Sequence, residues 1–315
     1  MAVNQYIDRT GANALIPEPI TKEIIQGAVE QSAVLRMGRR LPNMTAKTQS
    51  LNVLDMLPMA YWVDGDEGYK ETSKQAWERK KIYAEELAVI IPIPEAVLDD
   101  SDYDIWGEVR PRIVEAFGKK IDDAILFGTN KPSTWRDSIL TTATAAGMTV
   151  AESSDLYKDI FGVGGVIAKV EESGFDVNGV MAAINMRAKL RGLVDANGQP
   201  VFTADMHEAN RYILDGVAMD FPKNGAFDTA QASMIVGDFS QLTYAVRQDV
   251  TYKLLTEATI VDPSTKQVVY SLAQQDMVAL RAVMRLGWEI PNAINAFNAD
   301  NENRCPFAVL TPKAG

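Results

Sequence analysis

Few residues of this 315-residue chain could do chemistry, and most of those fail on spacing. Gly162, Gly164 and Gly165 in GVGGVI begin like a dinucleotide fingerprint, in which backbone amides at a helix N-terminus cradle a pyrophosphate. The third glycine position holds Ile167, the preceding DLYKDIF reads as helix rather than strand, and no acid stands at the ribose position. A helix with small residues for close packing explains the run better. Asp100, Asp102 and Asp104 copy the first three ligand positions of a calcium loop. The sixth position needs glycine and is Ile105, and the twelfth needs glutamate and is Pro111, so capping of the following helix is the better account. Asp64, Asp66 and Glu67 could gather a cation on a loop, although a solvated turn is the ordinary explanation. A single histidine, His207, and a single cysteine, Cys305, remove most triad and metal chemistry and any intrachain disulfide. No nucleophile elbow, HExxH, Walker loop or CxxC occurs. The sequence therefore predicts no enzyme, no cofactor and no metal site. A carboxylate-dependent, metal-requiring hydrolase would rest on the Asp-rich loops alone.

The totals narrow the class further. With 47% hydrophobic and 23% charged residues the composition is that of an ordinary globular protein. A formal charge of −11 argues against free nucleic acid or an anionic membrane as the main partner, since phosphate binding needs local Lys/Arg excess. The N-terminus lacks a signal-peptide pattern, and no apolar run approaches the ~18 residues of a membrane span, so the chain reads as soluble and made in the cytosol.

The elements that must position these residues are mixed. Residues 1–18 read as an extended arm, and PITKEIIQGAVEQSAVLRM as a helix after Pro19. TQSLNVL (48–54) and IYAEELAVIIPI (82–93) read as the two strands of a long hairpin, with a phase slip at Glu85–Glu86. In the strongest helix, 103–127, residues Trp106, Val109, Ile113, Phe117, Ile121 and Ala124 recur every three or four positions, with a bend expected at Pro111. DLYKDIFGVGGVIAKVEESG reads as helix and GVMAAIN as a short buried strand. MRAKLRGLVDANGQPVF reads as a helix and turn, and 234–258 and 277–290 supply more strands. Strands and helices interleave without a βαβ repeat, which is an α+β pattern.

Between the hairpin strands lies the segment of greatest functional interest. YWVDGDEGYKETSKQAWERKKIY (61–83) has ten charged positions and five aromatic ones among 23. It is too polar to build a core, and a two-stranded ribbon alone is marginal in water, so it needs a surface to lie against.

Taken in order, these features resemble the major capsid proteins of tailed bacteriophages, the Hong Kong 97-type capsid fold. ALIPEPITKEIIQGAVEQSAVLRMGRRLPN resembles that family's N-terminal arm and helix. LNVLDMLPMAYWVDGDEG through PIPEAVLDDS is similar to its extended loop with flanking strands, and DIWGEVRPRIVEAFGKKIDDAILFGT to its spine helix. NGVMAAINMRAKLRGLVDANGQPVF is similar to its axial strand, helix and turn, and VGDFSQLTYAVRQDVTYKLL and MVALRAVMRLGWEIPNAINAF to its closing strands.

The resemblance implies an arm at 1–47 and an extended hairpin loop at 48–93. It implies a peripheral domain with the spine helix at 94–150 and 266–300, and an axial domain at 151–265 and 301–315. It implies a shell subunit that forms pentamers and hexamers and closes into an icosahedral head around double-stranded DNA, with no cofactor and no membrane partner. The protein would be located in the virion and synthesised in the host cytoplasm. Portal, scaffolding and decoration proteins are the further partners. A scaffolding segment ahead of the arm would be absent, cleaved off or supplied separately. An encapsulin-type nanocompartment shell is the alternative within the same fold. The extended loop of the family lies over a neighbouring subunit. Trp62, Tyr69 and Trp77 would then be buried between chains, with Arg79, Lys80 and Lys81 facing partner carboxylates. The competing expectation pairs Trp62 with Trp77 across the hairpin.

Some members of the family join a loop lysine covalently to a neighbour's asparagine. Lys70, Lys74, Lys80 and Lys81, with Asn292, Asn295 and Asn298, supply the residue types but match no linking motif. Boiled, reduced particles should therefore run as one band near the 34.6 kDa monomer, and a ladder of multimers would overturn this.

Overall fold

The structure is a computed structural model and describes residues 32–58, 60, 72–99, 105–193, 212–298, 300 and 302–313. The described chain begins with α1 (Ala33–Met37), β1 (Arg39–Arg40), β2 (Thr48–Met56), β3 (Ala76–Tyr83) and β4 (Glu85–Pro94). Next come α2 (Glu95–Asp99), the long α3 (Ile105–Leu126), α4 (Ile139–Ala145) and β5 (Thr149–Ala151). A helical stretch follows: α5 (Leu156–Phe161), α6 (Val166–Glu172), β6 (Gly179–Ala182) and α7 (Met186–Arg191). Apart from 3-10 turns at Phe239–Gln241 and Leu272–Gln274, the remaining elements are strands: β7 (Tyr212–Leu214), β8 (Val217–Asp220), β9 (Met234–Gly237), β10 (Thr243–Leu255), β11 (Thr259–Val261), β12 (Val268–Ser271), β13 (Met277–Glu289) and β14 (Phe307–Thr311).

Two sheets organise the body. The first has the order β1-β10-β13-β4 and the second β5-β14-β9-β6-β8-β7, while β2-β3 and β11-β12 are separate ribbons. Thirteen-residue strands β10 and β13 run antiparallel, from Thr243↔Glu289 to Leu255↔Ala279. The apolar stripe of α3 (Trp106, Val109, Ile113, Phe117, Ile121 and Ala124) is buried with Val246, Val250, Leu280, Met284 and Trp288 of this sheet. Spacing by three and four is what keeps that stripe on one side of the helix. The helix runs unbroken through Pro111.

The central strands of the second sheet are buried on both faces. Val180, Ala182, Met234, Val236, Ala308 and Leu310 pack with α5, α6 and α7. Their alternates Met181, Ile235, Phe307 and Val309 join the core of α3 and the first sheet. A two-residue period with apolar groups on both sides gives continuous runs such as MIVG, so the sequence shows no alternation there.

Several expectations are corrected by pairing. The hairpin partner of β2 is Ala76–Tyr83, not 82–93; Glu85–Pro94 instead pairs with β13 in the body, where Glu86 and Arg285 form a 2.6 Å ion pair. The phase slip is thus the passage of the chain at Ala84 from ribbon to sheet. Residues 155–174 form two helices, because Gly164, at φ +80°, reverses the chain between Phe161 and Val166. Within 234–258, β9 and β10 enter different sheets. By hydrogen bonding, β10 joins β13, and β5, which spans the 150/151 boundary, pairs with β14. The expected helix from Pro19 is described only as Ala33–Met37. Asp64, Asp66, Glu67, Asp100, Asp102, Asp104 and His207 lie outside the described residues.

A buried carboxylate ties three distant segments together. Asp122 of α3, fully buried, accepts hydrogen bonds from Ser32 Oγ (2.6 Å), Ala33 N (3.1 Å), Val34 N (3.2 Å) and Asn224 Nδ2 (2.6 Å). It thereby helps Ser32 cap α1. Burial outweighs these four donors and pushes its pKa up from 3.8 to about 6. The native state holds that proton more tightly than the unfolded chain does. The residue's contribution to stability is therefore full below 3.8 and is lost as pH rises through about 6. Asp122→Asn removes this titration. The stability difference, wild type minus variant, should fall by up to about 3 kcal/mol between pH 4 and 7. Urea unfolding of unassembled subunits across that range measures it, and a flat difference would refute the assignment.

Candidate intersubunit surface

The β2–β3 ribbon has two unlike faces because opposed residues point the same way. One face carries Val53, Leu51 and Ile82 onto the body, where Ile82 packs with Met44, Ala84 and Ala245. The other carries the opposed pairs Ser50/Lys81, Asn52/Arg79 and Leu54/Trp77. Trp77 is 65% exposed on that face, and Arg79 and Lys81 are exposed beside it.

The base of the ribbon is fixed tightly. Trp135 Nε1 donates to Tyr83 O at 3.0 Å, and its ring meets Trp288 edge-on at 6.4 Å. The ribbon crosses β13 at Gly287, where a Cβ would lie 2.4 Å from Tyr83 O and 2.6 Å from Ile82 Cγ2. Only glycine permits that approach. Further out, Ile294 N donates to Leu54 O at 3.0 Å, joining the ribbon to the loop after β13.

That loop is held by Arg304, which is 3% exposed. Its guanidinium donates to Asn298 O and Asn292 O at 2.8 Å each, and Asn292 Nδ2 returns a bond to Arg304 O at 2.8 Å. Asn295 Nδ2 donates to Ser173 O at 2.8 Å.

The expected contact residues are split by this geometry. Trp77, Arg79 and Lys81 share the outward face. Lys80 does not: it lies on the inward face opposite Leu51, 3.9 Å from Glu78. Burial lowers its pKa; Glu78 opposes this, Arg136 adds to it, Glu289 opposes it and Arg304 adds to it. The alternation of a strand places it on the other face from its sequence neighbours Arg79 and Lys81. Trp62, Tyr69 and Lys70 lie outside the described residues, and with them the expected pairing of Trp62 and Trp77. Sequence reasoning missed Leu54 as the cross-strand neighbour of Trp77, and Phe297, which is 82% exposed. The asparagines flanking Phe297 were the available signal.

Among the described residues, no group of three or more His, Cys, Asp or Glu could hold a metal ion, and no helix is long and apolar enough to cross a membrane. Cys305 is buried and its thiol is pushed up to about 11 by that burial.

Residues 12–298 match the phage capsid family. The major capsid protein of Staphylococcus phage 80alpha is 29% identical over 276 residues, covering 86% of this chain and 80% of its own. A solved chain from Microbacterium phage Oxtober96 is 35% identical with a TM-score of 0.77, covering 99% of this chain and 96% of the other. One from Mycobacterium phage Adephagia is 32% identical at the same TM-score, with 90% and 91% covered.

The two faces differ in what truncation does to an isolated subunit. Ile82→Ala should cost about 2–5 kcal/mol of unfolding free energy, as for other buried large-to-small changes. Trp77→Ala should change it by less than about 0.5 kcal/mol, since its side chain is mostly in water already. Equal losses in denaturant unfolding of unassembled subunits would contradict the outward placement of Trp77.

Proposed function

Because the chain belongs to the phage capsid family, we propose that the outward face of its β2–β3 ribbon is laid on a neighbouring copy in the shell. The protein is a major capsid protein, a structural subunit that assembles with copies of itself, as pentamers and hexamers, into the head of a tailed phage. The observation that supports the contact is Trp77, 65% exposed beside Arg79 and Lys81 on a ribbon rigidly anchored at its base. Aromatic and Arg side chains are the types that anchor interfaces when desolvated. In this proposal Trp62 and Tyr69 belong to the same contact, and Lys80 serves the ribbon's own packing.

The four-stranded sheet with α3 is, in the same proposal, the peripheral part of the subunit, and the six-stranded sheet the axial part. The head encloses double-stranded DNA without reading its sequence, and a chain of net charge −11 suits this because a strongly DNA-binding wall would hinder packaging and release. The subunit has no catalytic role, meets portal, scaffolding or decoration proteins, and is synthesised in the host cytoplasm. Asn292 and Asn295 direct their amide nitrogens to Arg304 O and Ser173 O, which supports shells without covalent links.

Replacing Trp62 and Trp77 together with Ala tests the contact. Truncating a buried anchor costs about 2 kcal/mol or more at an interface, and in a closed shell that loss repeats at every equivalent contact. Soluble subunits or isolated capsomers with parental circular dichroism are expected by sedimentation and electron microscopy. Normal yields of intact heads would refute the contact. Wild-type heads should carry nuclease-protected double-stranded DNA, and a protein cargo in its place would refute the genome-enclosing role.

A further inference from the structure

Phe297 stands 82% exposed in the loop between β13 and β14. A single exposed apolar residue is ordinary on a protein surface. This one differs in how firmly its backbone is held. Asn295 Oδ1 accepts from Phe297 N at 3.0 Å and from Asn298 N at 2.8 Å, closing a tight turn around the ring. Asn295 Nδ2 anchors that turn to Ser173 O at the end of α6. The packing there is close, since a Cβ on Gly174 would lie 2.9 Å from Phe297 Cβ. On the far side the buried guanidinium of Arg304 grips Asn298 O and Asn292 O. The backbone is thus ordered before any partner arrives while the ring is left in water.

An aromatic ring on a pre-ordered loop is suited to binding, because little conformational freedom remains to be lost on association. Its position says which partner. Ile294, three residues before it, donates to Leu54 O, and Leu54 is the cross-strand neighbour of Trp77. The loop is therefore tied by its backbone to the ribbon strand that pairs with Trp77. We infer that Phe297 is a second, pre-organised contact through which a subunit binds another copy of this chain, on a loop tied to the ribbon that carries Trp77. The inference rests on the ribbon reading for its partner but on separate residues for its evidence.

Hydroxyl-radical footprinting of the wild-type protein, read by mass spectrometry, tests the two contacts separately and needs no substitution. Ring oxidation at Phe297 should be at least several-fold slower in assembled shells than in soluble subunits. Unchanged oxidation at Phe297 would overturn the inference, and protection of Trp77 in the same sample would show that the ribbon contact survives it. Protection of Phe297 with Trp77 still reactive would uphold Phe297 as a contact and refute the ribbon instead. As a second measurement, Phe297→Ala should leave subunit unfolding unchanged and lower the yield of closed shells at least tenfold, with Phe297→Leu recovering part of it. Full shell yield from Phe297→Ala would also overturn the inference.

Discussion

The antiparallel ladder between β10 and β13 is the constraint on which the rest depends. Thirteen residues from each strand make these the longest strands among the described residues. One face of that sheet receives α3, whose stripe could not be buried by any local partner. Its edge receives β4, and through β4 the chain that continues into the ribbon. At Gly287 the ladder lets the ribbon's base cross within a distance that no side chain would allow. A loss of pairing here would release helix, ribbon and closing loop together.

Polar groups then fix what apolar packing leaves free. Hydrophobic burial is non-directional, so it does not by itself decide where a loop or a short helix settles. Three buried hydrogen-bonding centres do so. Asp122 joins the start of α1, the long helix and Asn224. Asp238 accepts from Ser240 Oγ at 2.6 Å and from Asn178, setting the turn between the two sheets. Arg304 holds the loop after β13 through carbonyls that would otherwise be buried unpaired. Asp122 and Asp238 link residues far apart in sequence, and each of the three centres satisfies donors or acceptors that burial alone would penalise.

In the proposed arrangement, stability and assembly are carried by different residues. Ile82 and Val53 anchor the ribbon from beneath, and Trp135 and Trp288 lock its base, whereas Trp77 contributes little within one subunit. This division suits a shell protein. A subunit must fold before it meets its neighbours, so the surface that joins copies has to be dispensable to the fold. Shell closure then multiplies a modest contact over every equivalent site, which makes weak individual interfaces sufficient.

Sequence alone determined those features that depend on near neighbours. The stripe from Trp106 to Ala124 specified a long helix with one buried face, and the polar, aromatic-rich run at 61–83 marked a segment unable to form a core. The order of such elements was enough to indicate the capsid family. Which strand pairs with which was decided only by tertiary structure. AWERKKIY looks like loop because both faces of a ribbon can be mostly wet, yet it pairs along β2, while the more apolar 85–94 goes to the body. Lys80 and Arg79 are adjacent in sequence and face opposite ways because strand alternation, once the register is set, puts one beneath the ribbon and one above it. The exposure of Phe297 depends on bonds to Ser173 and Arg304, neither of which a local pattern reveals. Periodicity is a property of consecutive residues, whereas pairing and exposure depend on segments brought together across the whole chain.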